Sequence, residues 1–194
     1  NWREAWGNQS PPFYFVELPG LNRNWSLFRE MQLQVSRELP FCGMAVSIDI
    51  GHPTNVHPTN KRPVGERLAR LALDKTYGMG VVGTSPVLVN ASRSGNAMKL
   101  VFSASLTTAD GRKPTGFVVA DRDKEFHPAV AMIKGKEVQV SSEAVVSPLA
   151  VRYAWENDPK SNLIGTSHLP VSPFRTDSWL IQETNAVAHN LDTN

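Results

Sequence analysis

Met44-Ala45-Val46-Ser47-Ile48-Asp49-Ile50, followed by Gly51-His52-Pro53-Thr54-Asn55-Val56-His57-Pro58-Thr59-Asn60-Lys61, decides how this chain is read. The first seven residues form a nearly unbroken apolar run, the pattern of a strand covered on both faces of a sheet. The loop behind it carries two histidines, each directly before a proline. A residue before proline is held to extended backbone, so His57 projects from a stiff loop and not from a helix. Imidazole is the usual base for activating a hydroxyl near neutral pH, and it works best when a neighbour fixes its tautomer. His57 therefore has two readings, a positioned general base or a polar loop residue that caps the helix near Asn60. His52 reads as a supporting or surface histidine.

Outward from this stretch the pattern is strand, helix, strand, loop, helix. Residues 12–19 read as a short buried strand ended by Pro19-Gly20. Asn24 or Ser26 can cap the following helix, in which Leu27, Met31, Val35 and Leu39 recur at four-residue intervals on one face before Pro40 stops it. After the loop, Thr59 or Asn60 can cap a second helix, with Pro63 in its first turn, a stripe of Val64, Leu68 and Leu71, and Gly78 as the left-handed exit. This alternation predicts a parallel α/β sheet whose functional loops lie beyond the carboxyl ends of the strands.

Past about Gly80 the character changes to short alternating runs near 86–89, 99–102, 117–119, 132–133 and 137–140. They are separated by the turn-like Asp110-Gly111, Pro114-Thr115-Gly116 and Lys134-Gly135-Lys136. This half reads as an antiparallel β-sandwich. The expected division is residues 1–79 as α/β, 80–182 as sandwich and 183–194 as a polar, loosely held tail.

The 194 residues, 41% of them hydrophobic, suffice for a real core, and 20 basic against 18 acidic side chains are interspersed, so neither a nucleic acid nor an anionic membrane is an expected partner. No apolar run approaches the length of a membrane span. One cysteine, Cys42, excludes an internal disulfide and a cysteine-based zinc cluster, and reads as a buried thiol. Three Asn-x-Ser/Thr triplets, at Asn8, Asn24 and Asn90, matter only in a secretory setting. The opening on Asn1, with Trp2 and Trp6 close behind, gives the expectation that the chain begins inside a fold, through processing, a split polypeptide or an upstream segment.

Asp49, His52 and His57 do not have metal-ligand spacing, since five residues on a proline-interrupted loop do not aim two rings at one ion. No metal and no cofactor are expected. His127, His168 and His189 read as surface or packing residues without acidic neighbours. No Gly-x-Ser-x-Gly turn occurs, and Ser10, Ser92, Ser94 and Ser103 have nothing that marks a nucleophile. Gly78-Met79-Gly80 follows a helix where a phosphate cradle would precede one.

Several segments, in one order across nearly the whole chain, resemble the sialate O-acetylesterase family of SGNH/GDSL-type hydrolases. They are Asn1-Trp2-Arg3-Glu4-Ala5-Trp6-Gly7, residues 13–19, Gly43-Met44-Ala45-Val46-Ser47-Ile48-Asp49, Val56-His57-Pro58-Thr59-Asn60-Lys61 with Val64-Gly65-Glu66-Arg67-Leu68-Ala69, Ala150-Val151-Arg152-Tyr153-Ala154-Trp155, and Leu169-Pro170-Val171-Ser172-Pro173-Phe174-Arg175-Thr176-Asp177. The resemblance implies the carboxyl-terminal portion of a three-layer α/β/α SGNH-type domain followed by β-rich structure, a secreted, periplasmic or lysosomal setting, and hydrolysis of acetyl esters on sugars, with sialic acid the namesake substrate. It further implies that His57 is the catalytic base and that the serine lies on an upstream fragment. Relatives carry an acid two or three places before this histidine, where this chain has Asn55 and Thr54. Asn55 is accordingly the expected orienter of His57, with Asp49 as the alternative. The rival from another class is a noncatalytic glycan-binding or structural sandwich module, with Tyr153, Trp155 and Trp179 as aromatic platforms.

Overall fold

The computed structural model describes residues 2–180. The tail expected over 183–194, with His189 in it, lies outside them. The described residues hold a one-turn helix α1 (Trp2–Ala5), then β1 (Phe13–Val16), α2 (Ser26–Glu38), β2 (Cys42–Ala45), a 3-10 turn (Ile48–Ile50) and α3 (Arg62–Lys75). Strands β3 (Leu88–Ser94), β4 (Ala97–Phe102), β5 (Leu106–Thr108), β6 (Phe117–Ala120), β7 (His127–Pro128), β8 (Val130–Lys134), β9 (Glu137–Ser141), β10 (Ala150–Tyr153), β11 (Leu163–Gly165) and β12 (Phe174–Arg175) follow. The chain is thus mixed α/β with mostly antiparallel pairing.

β1 and β2 pair in parallel, from Phe13 opposite Cys42 to Val16 opposite Ala45, with α2 as the crossover. Alternation along β1 sends Tyr14 and Phe15 to opposite faces. Phe15 packs with Leu33 of α2 against Met44, Val46 and Ile48. Tyr14 lies on the other side, where its hydroxyl is 2.7 Å from Thr76 Oγ1 just beyond α3. A helix therefore covers each face of the pair.

The strand expected over 44–50 is shorter and earlier. Ser47 ends the ladder because it turns to β1: its hydroxyl donates to the Glu17 carbonyl at 2.6 Å and its N–H to Glu17 Oε2 at 3.3 Å. Val46 and Ile48 are buried all the same, 2% and 4% exposed, so the apolar run reports burial where it was read as strand. The expected helix caps also differ. α2 starts behind Trp25 and α3 behind Lys61, neither with a side-chain cap, while Pro63 sits in the first turn of α3. Gly78 has the left-handed conformation (φ 61°) expected of it.

In α2 the apolar stripe does share one face, but that face is outward. Leu27, Met31, Val35 and Leu39 are 40–59% exposed, as is Phe28, while Ser26 and Arg29 are buried. Cys42, expected to be buried, is half-buried.

The antiparallel half consists of two four-stranded sheets, β3-β4-β9-β8 and β12-β10-β6-β7, with β5 and β11 as a small separate pair. Side chains of both sheets meet in one core that includes Leu100, Val138 and Val140 from the first and Val119, Val151 and Tyr153 from the second. All six are 0% exposed; each apolar side chain so buried contributes about 1.5–3 kcal/mol relative to exposure. β3 runs farther than expected because Asn90, Ser92 and Ser94, which look like loop residues in sequence, lie on its solvent side. The β3–β4 hairpin turns at Gly95 (φ 63°) and the β8–β9 hairpin at Gly135 (φ 62°), conformations that glycine adopts without the clash of a Cβ.

Candidate active site

The carboxyl ends of β1 and β2 lead into two loops that hold each other. The Gly20 carbonyl accepts the His52 N–H at 3.0 Å, and the Pro53 carbonyl accepts the Asn22 N–H at 2.8 Å. Gly51 makes this approach possible, since a Cβ there would be driven into the backbone of Gly20. Its own dihedrals are ordinary for any residue (φ −69°, ψ 174°), so the constraint is contact and not conformation. Gly51→Ala is expected to cost about 1–3 kcal/mol by overpacking and to shift the loop that carries His57. Thermal unfolding checks this, and an unchanged Tm would show that the loops separate freely.

Within the loop, His52 Nδ1 accepts the N–H groups of Thr54 at 3.2 Å and Asn55 at 3.1 Å. His52 thus forms the turn through Nδ1, which accepts from two successive main-chain N–H groups. Asn55 Oδ1 in turn accepts the His57 N–H at 2.9 Å. These two short turns and Pro53 and Pro58 set the main-chain direction at His57. The imidazole of His57 is exposed and makes no hydrogen bond among the described residues. Asn55 thus engages His57 through its backbone and not its ring.

Asp49 is brought to Arg67 of α3 instead of to His57. Its oxygens accept from Arg67 Nη1 at 2.7 Å and Nη2 at 2.6 Å, a two-pronged pair, and Nη1 also donates to the Val46 carbonyl at 2.7 Å. Arg67 is 11% exposed and Asp49 34%. The pair ties the strand end to α3 and so fixes where the loop departs.

Beneath the loops lies a buried polar cluster that joins the two halves. Ser172, just before β12, donates to Glu17 Oε1 at 2.5 Å. Glu17 is 1% exposed. Burial pushes its carboxyl up to about 7, against the pull of the Ser172 hydroxyl, the Ser47 N–H and the Arg29 guanidinium. Arg29, 0% exposed, bonds to four carbonyls: Leu18 (3.0 Å), Pro19 (2.9 Å), Glu156 (2.8 Å) and Asn157 (2.8 Å). It clamps the loop after β1 to the loop after β10. None of Glu17, Arg29 and Arg67 was singled out from sequence. The signal for the first was a carboxylate extending the buried run Phe13-Tyr14-Phe15-Val16, and for Arg29 a charge on the helix face opposite the apolar stripe.

The raised Glu17 value gives a stability profile of definite sign. The native state holds this proton more tightly than the unfolded chain, whose carboxyl titrates near 4.5, so the contribution of Glu17 to stability is level below about 4.5 and falls as pH rises to about 7. The fall is on the order of 3 kcal/mol. Glu17→Gln, whose amide keeps an acceptor for Ser47 and gains a donor for Ser172, is expected to flatten that fall. Urea unfolding of both proteins between pH 4.5 and 8 checks it, and parallel profiles would count against the assignment.

Two other readings are corrected. Tyr153 is no platform: it is 0% exposed, its ring stacks on Phe174 at 5.5 Å, and its hydroxyl accepts the Leu163 N–H at 3.1 Å. Trp155 and Trp179 are half-buried, the former under the Arg175 guanidinium at 5.5 Å and the latter beside Phe126 at 5.8 Å. His127 does have acidic neighbours, since possible ligand atoms of Asp123, Glu125 and His127 lie within 4.8 Å of one another. Both acids are exposed and Asp123 already accepts the Glu125 N–H at 2.7 Å.

The chain is similar to a solved carbohydrate acetylesterase. That protein, described as a novel carbohydrate acetylesterase from Xanthomonas citri, shares 44% sequence identity over 92% of this chain, with a TM-score of 0.87. The chain spans 44% of that protein's length. No protein-family model matches the chain, and no curated protein matches it. The likeness supports the mixed α/β arrangement seen here at close sequence range.

Proposed function

We propose that this chain is the histidine-bearing part of a carbohydrate esterase that removes O-acetyl groups from sugars, with the 9-O-acetyl ester of sialic acid as its foremost substrate. The single observation that carries the reading is the 44% identity to a carbohydrate acetylesterase across 92% of the chain. The position of His57 agrees with it: an exposed imidazole on a proline-flanked loop beyond the carboxyl ends of parallel strands. In this reading β1, β2, α2 and α3 are part of a three-layer SGNH-type domain. Polypeptide outside these residues supplies the serine.

The serine hydroxyl attacks the acetyl carbonyl while His57 takes its proton. His57 returns that proton to the sugar oxygen as the ester bond breaks, then takes a proton from the water that attacks the acyl-serine and hands it to the serine oxygen as acetate leaves. Asn55 acts as the positioning residue by holding the His57 main chain. Asp49, through Arg67, holds the strand end from which the loop departs. Without an acid on the ring, the site works as a serine-histidine dyad.

The test is acetate release from O-acetylated sialic acid by the complete enzyme, combined with a fluorophosphonate label on the nucleophile. The reading expects one labelled serine per active unit, outside the 194 residues. Activity lost in step with labelling of one of this chain's own serines would overturn the division of labour. Glycan binding with no acetate release from the complete protein would favour the noncatalytic module.

A further inference from the structure

α2 is packed with Arg29, Glu30 and Gln32 inward beside Leu33, and their polar bonds forbid the reverse. Arg29 reaches its four carbonyls only from the inner face, Gln32 Oε1 accepts the Leu18 N–H at 2.9 Å, its Nε2 donates to the Val16 carbonyl at 3.2 Å, and Glu30 pairs with Arg175 at 2.9 Å. Rotating the helix to bury Leu27, Met31 and Val35 would break all of these. A surface helix ordinarily shows the opposite arrangement, apolar stripe in and polar face out. The outward stripe continues at the end of α2, where Leu39 lines one cleft with Trp2, Trp6 and Phe13. Those rings already touch, Trp2 lying 6.2 Å from Trp6 and 5.8 Å from Phe13. Alongside, β1 and β2 form a parallel sheet of two strands among the described residues. Parallel strands occur in larger sheets covered on both faces, and an open edge is a site for strand addition.

We propose that the outward stripe of α2, continued by Trp6 and Phe13, is the seat of the remainder of the hydrolase fold, an α/β polypeptide that covers the stripe with apolar side chains and extends the β1–β2 sheet. This rests on the reading that further polypeptide supplies the serine. The occupant is favoured over a second copy of the chain by proportion: the similar acetylesterase accommodates a unit of this shape within a chain of which 44% is spanned here, leaving more than half to pack elsewhere on it. The seat runs the length of α2, from Leu39, Trp6 and Phe13 at the amino ends of β1 and β2 to Leu27 at their carboxyl ends, so only the part that docks near Leu27 shares the sheet end from which the His57 loop departs.

The probe is the portion of the Xanthomonas citri acetylesterase that this chain does not span, produced separately and mixed with the 194-residue chain. Sedimentation velocity is expected to show a one-to-one complex, weakened at least tenfold by Met31→Glu with Val35→Glu and unchanged by Val89→Glu on the exposed side of β3. Equal binding by all three proteins would overturn the proposal. So would self-association of the chain that the double variant abolishes while the probe fails to bind. A single-chain fusion of probe and chain gives the second readout. Met31→Cys, in a Cys42→Ser background, is expected to react with a maleimide at least tenfold more slowly in the fusion than in the chain alone, and equal rates would also overturn it. Acetate release is scored separately. A complex made through α2 without esterase activity removes the functional reading and keeps the docking surface; activity indifferent to the double variant does the reverse.

Discussion

Replacing His57 by alanine in the complete enzyme is expected to lower turnover by at least about 10²-fold, the usual lower range for loss of a positioned general base. The residue is exposed and its ring makes no hydrogen bond among the described residues, so its loss removes little that holds the fold. The change in folding free energy is expected to stay within about 0.5 kcal/mol, as for other surface substitutions. That separation makes the experiment decisive. Turnover of O-acetylated sugar and urea unfolding of the same variant should disagree, with a large effect on the first and almost none on the second. Near-normal turnover would end the assignment of His57 as base. Asn55→Ala should fall between, because it frees the main chain at His57 but leaves the imidazole in place.

Arg29→Leu is expected to have the largest effect on stability, roughly 3–5 kcal/mol, the range for breaking a buried charged cluster by removing one partner. Leucine fills much of the space but donates nothing to the carbonyls of Leu18, Pro19, Glu156 and Asn157. Each buried carbonyl left without a donor costs about 1–3 kcal/mol. Glu17 also loses the nearby positive charge that pulls against its burial. Arg29→Lys should recover only part of the loss, since one ammonium cannot reach four acceptors spread over two loops as the guanidinium fork does. Denaturant unfolding checks both variants. A loss below about 1 kcal/mol for Arg29→Leu would mean that water satisfies the four carbonyls. Because the clamp joins the loop after β1 to the loop after β10, the variant should also loosen the His57 loop, which hangs from Gly20 by the His52 N–H.

Spacing and composition specified α2, α3, the first parallel pair and the sites of β3, β4, β6, β8 and β9, but left β5, β7, β10, β11 and β12 unmarked. Period-four spacing of Leu27, Met31, Val35 and Leu39 identified a helix because that spacing is set by helical geometry whatever the face meets. An apolar run marked β1, another overlapped β2 at Met44 and Ala45 but overran it, and a glycine turn marked the β8–β9 hairpin. Proline after His57 fixed local backbone, and that was legible in two letters. What spacing does not hold is direction. The same stripe that defines α2 as a helix points away from the core, because the inner face is claimed by Arg29, Gln32 and Glu30, whose partners come from β1, the loop after β10 and β12.

Partnership was likewise decided only by tertiary structure. Asp49 and His57 are eight positions apart, yet Asp49 meets Arg67 on α3, 18 positions on. Glu17 and Ser172, 155 positions apart, meet in the interior. Buried polar groups must find hydrogen bonds, and the long-range folding of loops chooses which ones. Local propensity reaches a few residues along the chain, whereas the desolvation that raises Glu17 and the contact that requires glycine at position 51 exist only once distant segments have come together.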